Sequence, residues 1–268
     1  MIVFPNAKIN LGLFITEKRT DGFHNLESLF LPIPLCDILE VTPSSEETSL
    51  ISTGESSDIP TEKNIVYKAW QLLKEKHNIG NVLIHLHKVI PSGAGMGGGS
   101  SDGSFMLKAL NELFNLNLSI EALEDYAAQL GSDCPFFIKN TAAFVTGRGE
   151  VVESIDFNLK GMYLVVVNPG IHISTAQAFR GIQPSPSQIN WTEFIQNKDF
   201  DGGKLRNDFE QSVFQLYPEI AEIKNRLIQE GALYSSMSGT GSTVYALFME
   251  EPQLEWKKDY FSRTFLLS

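Results

Sequence analysis

Residues 88–102 read Lys88-Val-Ile-Pro-Ser-Gly-Ala-Gly-Met-Gly-Gly-Gly-Ser-Ser-Asp102 and decide how the rest of the chain is interpreted. Five of the seven residues from Gly93 to Gly99 are glycine, which lacks a Cβ and lets the backbone approach a ligand closely. A strand-like segment over Val82 to Lys88 precedes the run, and a helix-like segment from Ser101 follows it. Free N–H groups at a helix N-terminus favour anions, so the segment is predicted to bind phosphate.

A flexible linker is the alternative explanation of such a run. Apolar, periodic segments abut it on both sides, which favours a phosphate cradle over a linker. No Gly-Lys-Ser/Thr closes the run, so it is not a Walker loop. It is also a poor dinucleotide fingerprint, because no acidic strand end lies where a ribose would need one.

Composition narrows the class of protein. The 268 residues are 43% hydrophobic and 20% charged, which is typical of a globular chain, and their formal net charge is -11. A net charge this negative predicts that the chain binds neither nucleic acid nor a membrane, because both would require a basic surface. Neither a signal peptide nor a membrane span is apparent. The two cysteines, Cys36 and Cys134, form no metal or disulfide pattern, so a cytoplasmic location is predicted.

The N-terminal segment alternates from Lys8 to Ile15 and predicts a half-buried strand. Its isoleucines and leucines share one face, and Lys8, Asn10, Gly12 and Phe14 share the other. A lysine on such a face is usually solvated. Next to an amide and a glycine, Lys8 becomes a candidate for binding an oxyanion.

Strand-like and helix-like segments alternate through the rest of the chain without long linkers, which predicts an α/β or α+β protein. Strands are predicted over residues 29–42, 82–87, 142–146, 162–168 and 243–248. Helices are predicted from Thr61, Ser101, Ser119 and Ser174 or Thr175, and over 218–230. A polar hairpin or loop is predicted over 44–58, and an irregular segment with one short helix is predicted over 181–208.

Two further patterns each have two interpretations. His85 and His87 share one strand face but lack a third ligand at useful spacing, so an amphipathic strand is favoured and no metal site is predicted. Asp133 precedes Cys134-Pro135, and Pro135 suits the first turn of a helix. Asp133 is therefore either an N-cap or a functional carboxylate presented at a helix start.

Three separated blocks resemble the three motifs of the GHMP small-molecule kinases: Pro5–Leu11, the glycine segment (Gly93–Gly99) and Ser238–Ser242. Within that superfamily, four segments are similar to the kinases that act on 4-diphosphocytidyl-2-C-methyl-D-erythritol: Ala7–Leu11, Asp21–His24, Gly97–Asp102 and Asp133–Phe137. The resemblance is dense over residues 5–149 and returns at 163–179 and 235–248. Between 181 and 230 it rests on order and length only.

The resemblance implies an α+β, two-domain GHMP kinase fold. The expected N-terminal domain, residues 1–153, contains the glycine-rich phosphate loop and a left-handed βαβ crossover. The expected C-terminal domain, residues 154–268, is ferredoxin-like, and the active site is expected in the cleft between the two. A monomer or weak homodimer is expected, with ATP and the cytidyl alcohol as small-molecule partners.

The implied reaction is ATP-dependent phosphorylation of the substrate's 2-hydroxyl, in the non-mevalonate pathway to isoprenoids, with ATP bound as its Mg²⁺ complex. Lys8 and Asp133 match the catalytic residues. The expected substrate-binding residues are Asn10, Phe23, His24, Thr175 and Phe179. The expected ATP-binding residues are Asn64, Lys88, Pro91, Gly93, Ala94, Gly95, Met96, Gly97, Gly98, Gly99, Ser100 and Ser101.

Several of these roles have structural alternatives. Phe23 and Phe179 match the aromatic pair that sandwiches the cytosine, although the family more often has tyrosine at Phe23, and either could be ordinary core. Asn64 could contact adenine or cap a helix. Asp102 is interpreted as favouring the helix dipole rather than binding a ligand.

Two rival functions accompany this prediction. Another GHMP kinase, of the homoserine or mevalonate type, would phosphorylate a simple alcohol and would lack the turn at Asp21–His24. A nucleotide-binding module without catalysis would tolerate loss of Asp133 and would consume no ATP in response to an acceptor.

Overall fold

The computed structural model describes residues 1–55, 59–200 and 204–268. The chain divides into two compact units, and each unit is assembled from three separate stretches. The first unit contains Met1–Ala7, Pro34–Ser92 and Gly97–Thr141, and the second contains Lys8–Ile33, Gly93–Met96 and Ala142–Ser268. The boundary expected between residues 153 and 154 stays a prediction.

The sheet of the first unit has the strand order β1-β4-β6-β5. Its strands are β1 (Ile2–Val3), β4 (Ile38–Ser44), β5 (Ser49–Gly54) and β6 (Asn81–Lys88). The pairs β1–β4 and β4–β6 are antiparallel, whereas β5 is parallel to β6. The prediction of a polar hairpin or loop over 44–58 misses β5, because Ser49–Gly54 is an edge strand paired in parallel with β6 and is not one arm of a hairpin. Residues 56–58 lie outside the described residues.

Four helices of the described chain belong to the first unit: α1 (Ile65–His77), α2 (Gly98–Leu113), α3 (Ile120–Leu130) and α4 (Cys134–Lys139). The α-helix predicted from Thr61 begins only at Ile65, after one 3₁₀ turn. Its predicted apolar face is confirmed, since Val66, Ala69, Trp70 and Leu73 are all buried. The prediction that Ser119 caps α3 is also confirmed, because its hydroxyl accepts from the Ala122 N–H at 3.3 Å.

These helices cover one face of the first sheet. Leu39, Val41, Val82, Ile84 and Leu86 from the sheet join the apolar stripes of α1 and α2 in one core. Helix α1 connects the parallel strands β5 and β6, so the three form a βαβ crossover. The crossover places the end of β6, at Lys88, directly before the glycine segment.

The second unit contains most of a sheet with the order β2-β3-β7-β8. Its strands are β2 (Asn6–Lys18), β3 (His24–Cys36), β7 (Ala143–Thr146) and β8 (Val151–Ser154). The prediction that Lys8–Ile15 is half-buried is wrong, because both faces of this segment are buried. Part of the cover over the Gly12 face comes from the distant residues Trp191 and Leu205.

The other sheet of this unit has the order β10-β11-β9-β12, with every pair antiparallel. Its strands are β9 (Tyr163–Asn168), β10 (Tyr234–Met237), β11 (Val244–Phe248) and β12 (Phe261–Leu266). The helices are α5 (Thr175–Ala178), α6 (Trp191–Asn197), α7 (Phe209–Leu216) and α8 (Pro218–Gln229). In chain order this strand arrangement is that of a ferredoxin-like sheet, as the resemblance implied.

In the second unit, β8, β10 and α7 also lie where the sequence patterns predicted no helix or strand. The structure also assigns the C-terminal tail, because β12 pairs with β9 from Phe261 opposite Asn168 to Leu266 opposite Tyr163. The aliphatic residues of β9 and β11 pack against α7 and α8 in a second core.

Candidate active site

The glycine segment is shorter than predicted, because α2 begins at Gly98. Gly93, Gly95 and Gly97 have φ values of 64°, 78° and 69°. These values are in the left-handed region that glycine adopts readily, so the backbone curls over alternate residues. Ser100 and Ser101 are helical residues, not loop residues.

The start of α2 retains the properties of an anion site. Gly97 is its N-cap and supplies no side-chain hydrogen bond to the first turn. The first N–H groups of a 16-residue helix therefore remain available to a ligand. Gly98 is needed for close packing, because a Cβ there would lie 2.9 Å from Ile90 and 3.4 Å from the Lys88 Nζ.

A pocket of about 300 Å³ lies beside this helix start, wholly within the first unit. Of the predicted ATP-binding residues, Asn64, Lys88, Gly99 and Ser100 line it, together with Ser52, Ile59, Lys63, Ile65, Leu86, Ser92 and Asp102. Pro91 and Ser101 belong to the same unit but do not line the pocket. The side chain of Asn64 caps α1, accepting from the Val66 N–H at 3.1 Å, so the capping interpretation is confirmed.

Lys88 is held between two buried carboxylates. Its Nζ donates to Asp37 Oδ2 and, at 2.6 Å, to Asp102 Oδ2. The other Asp37 oxygen accepts the backbone N–H groups of Val89 at 2.6 Å and Ile90 at 2.8 Å. The interpretation of Asp102 through the helix dipole is wrong, because Asp102 lies beyond the first turn of α2 and pairs with Lys88 instead.

The ionisation of this cluster follows from its burial. Burial alone lowers the pKa of Lys88, but the attraction of Asp102 and Asp37 outweighs it and the net pKa is raised. Burial raises the pKa of Asp102 to about 8, against the opposing effect of Lys88. Asp102 Oδ1 is buried and accepts no hydrogen bond from the described residues.

We expect Asp102→Asn to flatten the dependence of stability on pH. Because the pKa of Asp102 is raised in the folded state, the folded protein keeps a proton on this side chain that the unfolded chain releases. The stability contributed by this bound proton is complete below about pH 4 and is lost as the pH rises to about 8. From about pH 5 to about pH 8 the melting temperature of the original chain should fall more steeply than that of the variant. Circular dichroism melts across this range test it, and equal slopes would contradict the expected result.

Hydrogen bonds in the second unit connect residues 93–96 of the glycine segment to the first motif, at Lys8, and to the third motif, at Ser238. The Lys8 N–H donates to the Met96 carbonyl at 3.0 Å, and the Ser238 hydroxyl donates to the Gly95 carbonyl at 2.8 Å. The Thr243 N–H donates to the Ala94 carbonyl at 3.2 Å. Residues 93–96 are thus fixed by both motifs that the sequence singled out.

The Lys8 side chain has a defined position in this cluster. Its Nζ donates to Asn10 Oδ1 at 2.5 Å and lies 4.2 Å from the centre of the Phe30 ring. The amide nitrogen of Asn10 donates to Ser28 Oγ at 3.0 Å, and the Ser28 hydroxyl donates to the Gly12 carbonyl at 2.6 Å. Because Asn10 is held at both ends, it fixes the ammonium of Lys8.

Asp133 occupies the N-cap position of α4, but its carboxylate makes no capping hydrogen bond. The N-cap position expected for this residue is confirmed, and its role as a functional carboxylate stays a prediction. Pro135 lies in the first turn, as predicted, and Cys134 to Ile138 are all buried. Asp133 therefore lies at the start of a short helix that is mostly buried.

The residues predicted to bind the substrate base lie in the second unit. His24 stacks on Phe179, with ring centres 4.8 Å apart and planes at 24°. Phe23 is 54% exposed, and the Arg148 guanidinium lies 4.9 Å from its ring centre. Thr175 is the first residue of α5 and is exposed, while Ser174 and Gln177 form the capping box.

Several residues of these clusters were not predicted from the sequence. Asp37 could have been noticed as one of two acids, with Glu40, within the apolar pattern over 29–42. No sequence pattern around Ser28, Phe30 or Tyr245 indicates that they belong to the site. The Tyr245 hydroxyl donates to the Asn10 carbonyl at 2.6 Å. The roles of all three residues depend on partners far away in the chain.

The two histidines of β6 lie on an exposed face. Thr53 Oγ1 lies 3.1 Å from His85 Nε2 and 3.0 Å from His87 Nδ1. The described part of the chain contains no group of three or more His, Cys, Asp or Glu side chains that could hold a metal ion. No helix of the described ranges is long and apolar enough to cross a membrane.

Comparison with known protein families matches two models. The model for the GHMP kinases N terminal domain matches residues 64–147, which include α1, the glycine segment and α4. The model for the GHMP kinases C terminal matches residues 193–264.

Curated relatives match over nearly the whole chain. A 4-diphosphocytidyl-2-C-methyl-D-erythritol kinase of Azobacteroides pseudotrichonymphae genomovar. CFP2 is 52% identical over 250 residues, covering 92% of this chain and 93% of the relative. A protein of the same name from Bacteroides fragilis (strain YCH46) is 50% identical over 258 residues, covering 95% and 94%.

Solved structures show the same architecture. A crystal structure of 4-(cytidine 5'-diphospho)-2C-methyl-D-erythritol kinase superposes with a TM-score of 0.80 at 32% identity, covering 92% of this chain and 90% of the other. A homoserine kinase from Cytophaga hutchinsonii gives a TM-score of 0.65 at 17% identity, covering 98% and 94%, and shares the fold alone.

Proposed function

The chain belongs to the family of 4-diphosphocytidyl-2-C-methyl-D-erythritol kinases within the GHMP kinases, and we propose that it transfers the γ-phosphate of ATP to the 2-hydroxyl of that substrate. The site observation that supports this proposal most directly is the network joining Lys8, Asn10, residues 93–96 and Ser238 in the second unit. The reaction supplies a phosphorylated intermediate to the non-mevalonate pathway to isoprenoids.

Phosphoryl transfer depends on positioning and charge neutralisation more than on covalent chemistry. The pocket beside α2 is proposed to bind ATP, with its phosphates towards the N–H groups at the start of that helix. Lys8 is proposed to neutralise charge on the transferred phosphoryl group. Asn10 is proposed to orient both Lys8 and the acceptor alcohol.

Asp133 is proposed to accept the proton of the acceptor hydroxyl. The transition state of phosphoryl transfer is loose, so positioning of the alcohol by this carboxylate contributes alongside proton transfer. Phe23, His24, Thr175 and Phe179 are proposed to bind the cytidyl part. The aromatic character of this cluster, in which the ring of His24 stacks on Phe179, supports the proposal.

Mg²⁺ is proposed to enter with ATP. When bound, the ion would neutralise phosphate charge and help to orient the terminal phosphate. The hydroxyls of Ser100 and Ser101 fit this role chemically, and the buried Ser101 Oγ has no hydrogen-bond partner among the described residues. A monomer or weak homodimer in the cytoplasm remains our expectation, and Cys36 and Cys134 are both free thiols.

We expect the purified protein to release ADP only when both ATP and 4-diphosphocytidyl-2-C-methyl-D-erythritol are present. A coupled ADP assay, with phosphorus NMR of the product, measures this. Homoserine and mevalonate serve as acceptors for the rival kinases. Acceptor-independent ADP release, or faster release with a simple alcohol, would contradict the proposal.

Asp133→Asn is the matching test of mechanism. Asparagine keeps the shape of the side chain but cannot accept the hydroxyl proton, so most of kcat should be lost with only a modest change in KM. Stopped assays at saturating ATP measure both constants. Near-normal turnover by this variant would reject the proposed role of the carboxylate.

A further inference from the structure

Asp37 is fully buried in the single-residue gap between β3 and β4. Its backbone N–H donates to the Pro5 carbonyl at 2.8 Å, which fixes the residue next to the N-terminal motif. One carboxylate oxygen then accepts two consecutive N–H groups, those of Val89 and Ile90, and the other accepts the ammonium of Lys88. A single carboxylate therefore holds three successive residues at the entrance to the glycine segment.

Lys88 is fixed from two further directions. Its carbonyl accepts the Glu55 N–H at 2.9 Å, and a Cβ at Gly54 would lie only 2.2 Å from that carbonyl oxygen. Its ammonium also donates to Asp102 on α2 at 2.6 Å. The two carboxylates thus define where the lysine charge lies along the wall of the pocket.

We propose that Asp37 is a positioning residue for the nucleotide, acting through Lys88 and the N–H groups of Val89 and Ile90 to form the phosphate side of the pocket before ATP arrives. This inference rests on the proposed function, because it assigns the pocket to ATP. Asp37 does not line the pocket, whereas Lys88 and Asp102 do.

The physical reason is the cost of leaving a buried charge with incomplete partners. Without the negative charge of Asp37, the ammonium of Lys88 would be drawn towards Asp102 alone. The turn at Val89 and Ile90 would keep an acceptor only if the replacement still carries an oxygen. Asp37→Asn keeps that oxygen and removes the charge, so it separates the two contributions.

We expect Asp37→Asn to raise KM for ATP about tenfold, the effect of losing one charge-assisted hydrogen bond, while kcat and KM for the acceptor change less than about twofold. The matched control is Asp208→Asn in the second unit. Asp208 likewise accepts a backbone N–H, from Ile15 at 2.8 Å, and a cationic side chain, Arg206 at 2.9 Å. The control should lose thermal stability without raising KM for ATP.

A double-variant cycle with Lys88→Met tests whether Asp37 acts through the lysine. In the Lys88→Met background, Asp37→Asn should raise KM for ATP no further. Independent, additive effects, or an unchanged KM in Asp37→Asn alone, would overturn the inference. If Asp37→Asn does not fold, Asp37→Glu keeps the charge but displaces it, and an unchanged KM for ATP in that variant would overturn the inference equally.

Failure of the proposed function gives a different result. If the original chain releases no ADP with the cytidyl substrate, the kinase proposal fails whatever the variants do. Calorimetric titration of ATP into the original chain, Asp37→Asn and Asp208→Asn then tests the positioning role by itself. Weaker binding by Asp37→Asn only would support it, and equal binding by all three would overturn it.

Discussion

Lys8→Met is expected to reduce kcat about a hundredfold or more while KM for both substrates changes little. Methionine preserves the apolar stem against Phe30 and removes the ammonium that donates to Asn10 Oδ1 at 2.5 Å. In the proposed mechanism this charge matters most when the phosphoryl group is in transit. Its loss therefore affects turnover more than ground-state binding.

The chain offers a matched control for this substitution in Lys108. This lysine is half-buried, and its Nζ lies 3.7 Å from the centre of the Phe105 ring and donates to the Phe137 carbonyl at 2.8 Å. Burial lowers the pKa of Lys108 to about 8. Lys108→Met should leave kcat within about twofold, because removing this amine deletes no group assigned to the reaction. A similar loss of kcat in both variants would show that the Lys8 effect is structural.

Gly95→Ala is expected to destabilise the protein by about 3 kcal/mol or more and to abolish activity with it. The φ of Gly95 is 78°, and an added Cβ would lie 2.0 Å from the Ser238 carbonyl oxygen. The positive φ and the Ser238 carbonyl both belong to the backbone, so no movement of a side chain can relieve the strain or the clash. Urea denaturation and the ADP assay measure the two effects on one preparation.

Gly231→Ala is the control that separates the cost of a positive φ from the cost of a steric clash. Gly231 has a φ of 90°, yet a Cβ there would meet nothing within 4 Å. This variant should lose only about 1 kcal/mol, the cost of placing alanine in the left-handed region. If Gly95→Ala were no worse than Gly231→Ala, the close approach of the glycine segment to Ser238 would be refuted.

Local periodicity predicted those helices and strands whose buried face can be recognised from their own sequence. The stripe Val66, Ala69, Trp70 and Leu73 identifies the buried face of α1 without knowledge of what covers it. In contrast, β5 is polar and serine-rich and is recognisable only through its pairing with β6. Leu50 is half-buried because it packs against the core of the first unit.

The candidate site shows the same limit. Motif spacing singled out Lys8, Asn10 and the glycine segment, but not the burial of Lys8, which depends on the Phe30 ring and on residues well separated in sequence. Asp37 was missed because its importance comes from contacts 51 to 53 positions along the chain. An acid directly between the apolar residues Cys36 and Ile38 is the signal that could have found it.

The interleaving of the two units restricts how this kinase could have been rearranged in evolution. Each unit takes material from three stretches, and the four residues 93–96 belong to a different unit from those on either side. A single break in the gene cannot release either half intact, and recombination at one point would exchange incomplete pieces. Such a protein is inherited as a whole, and new specificities must arise by replacing side chains within it rather than by shuffling modules.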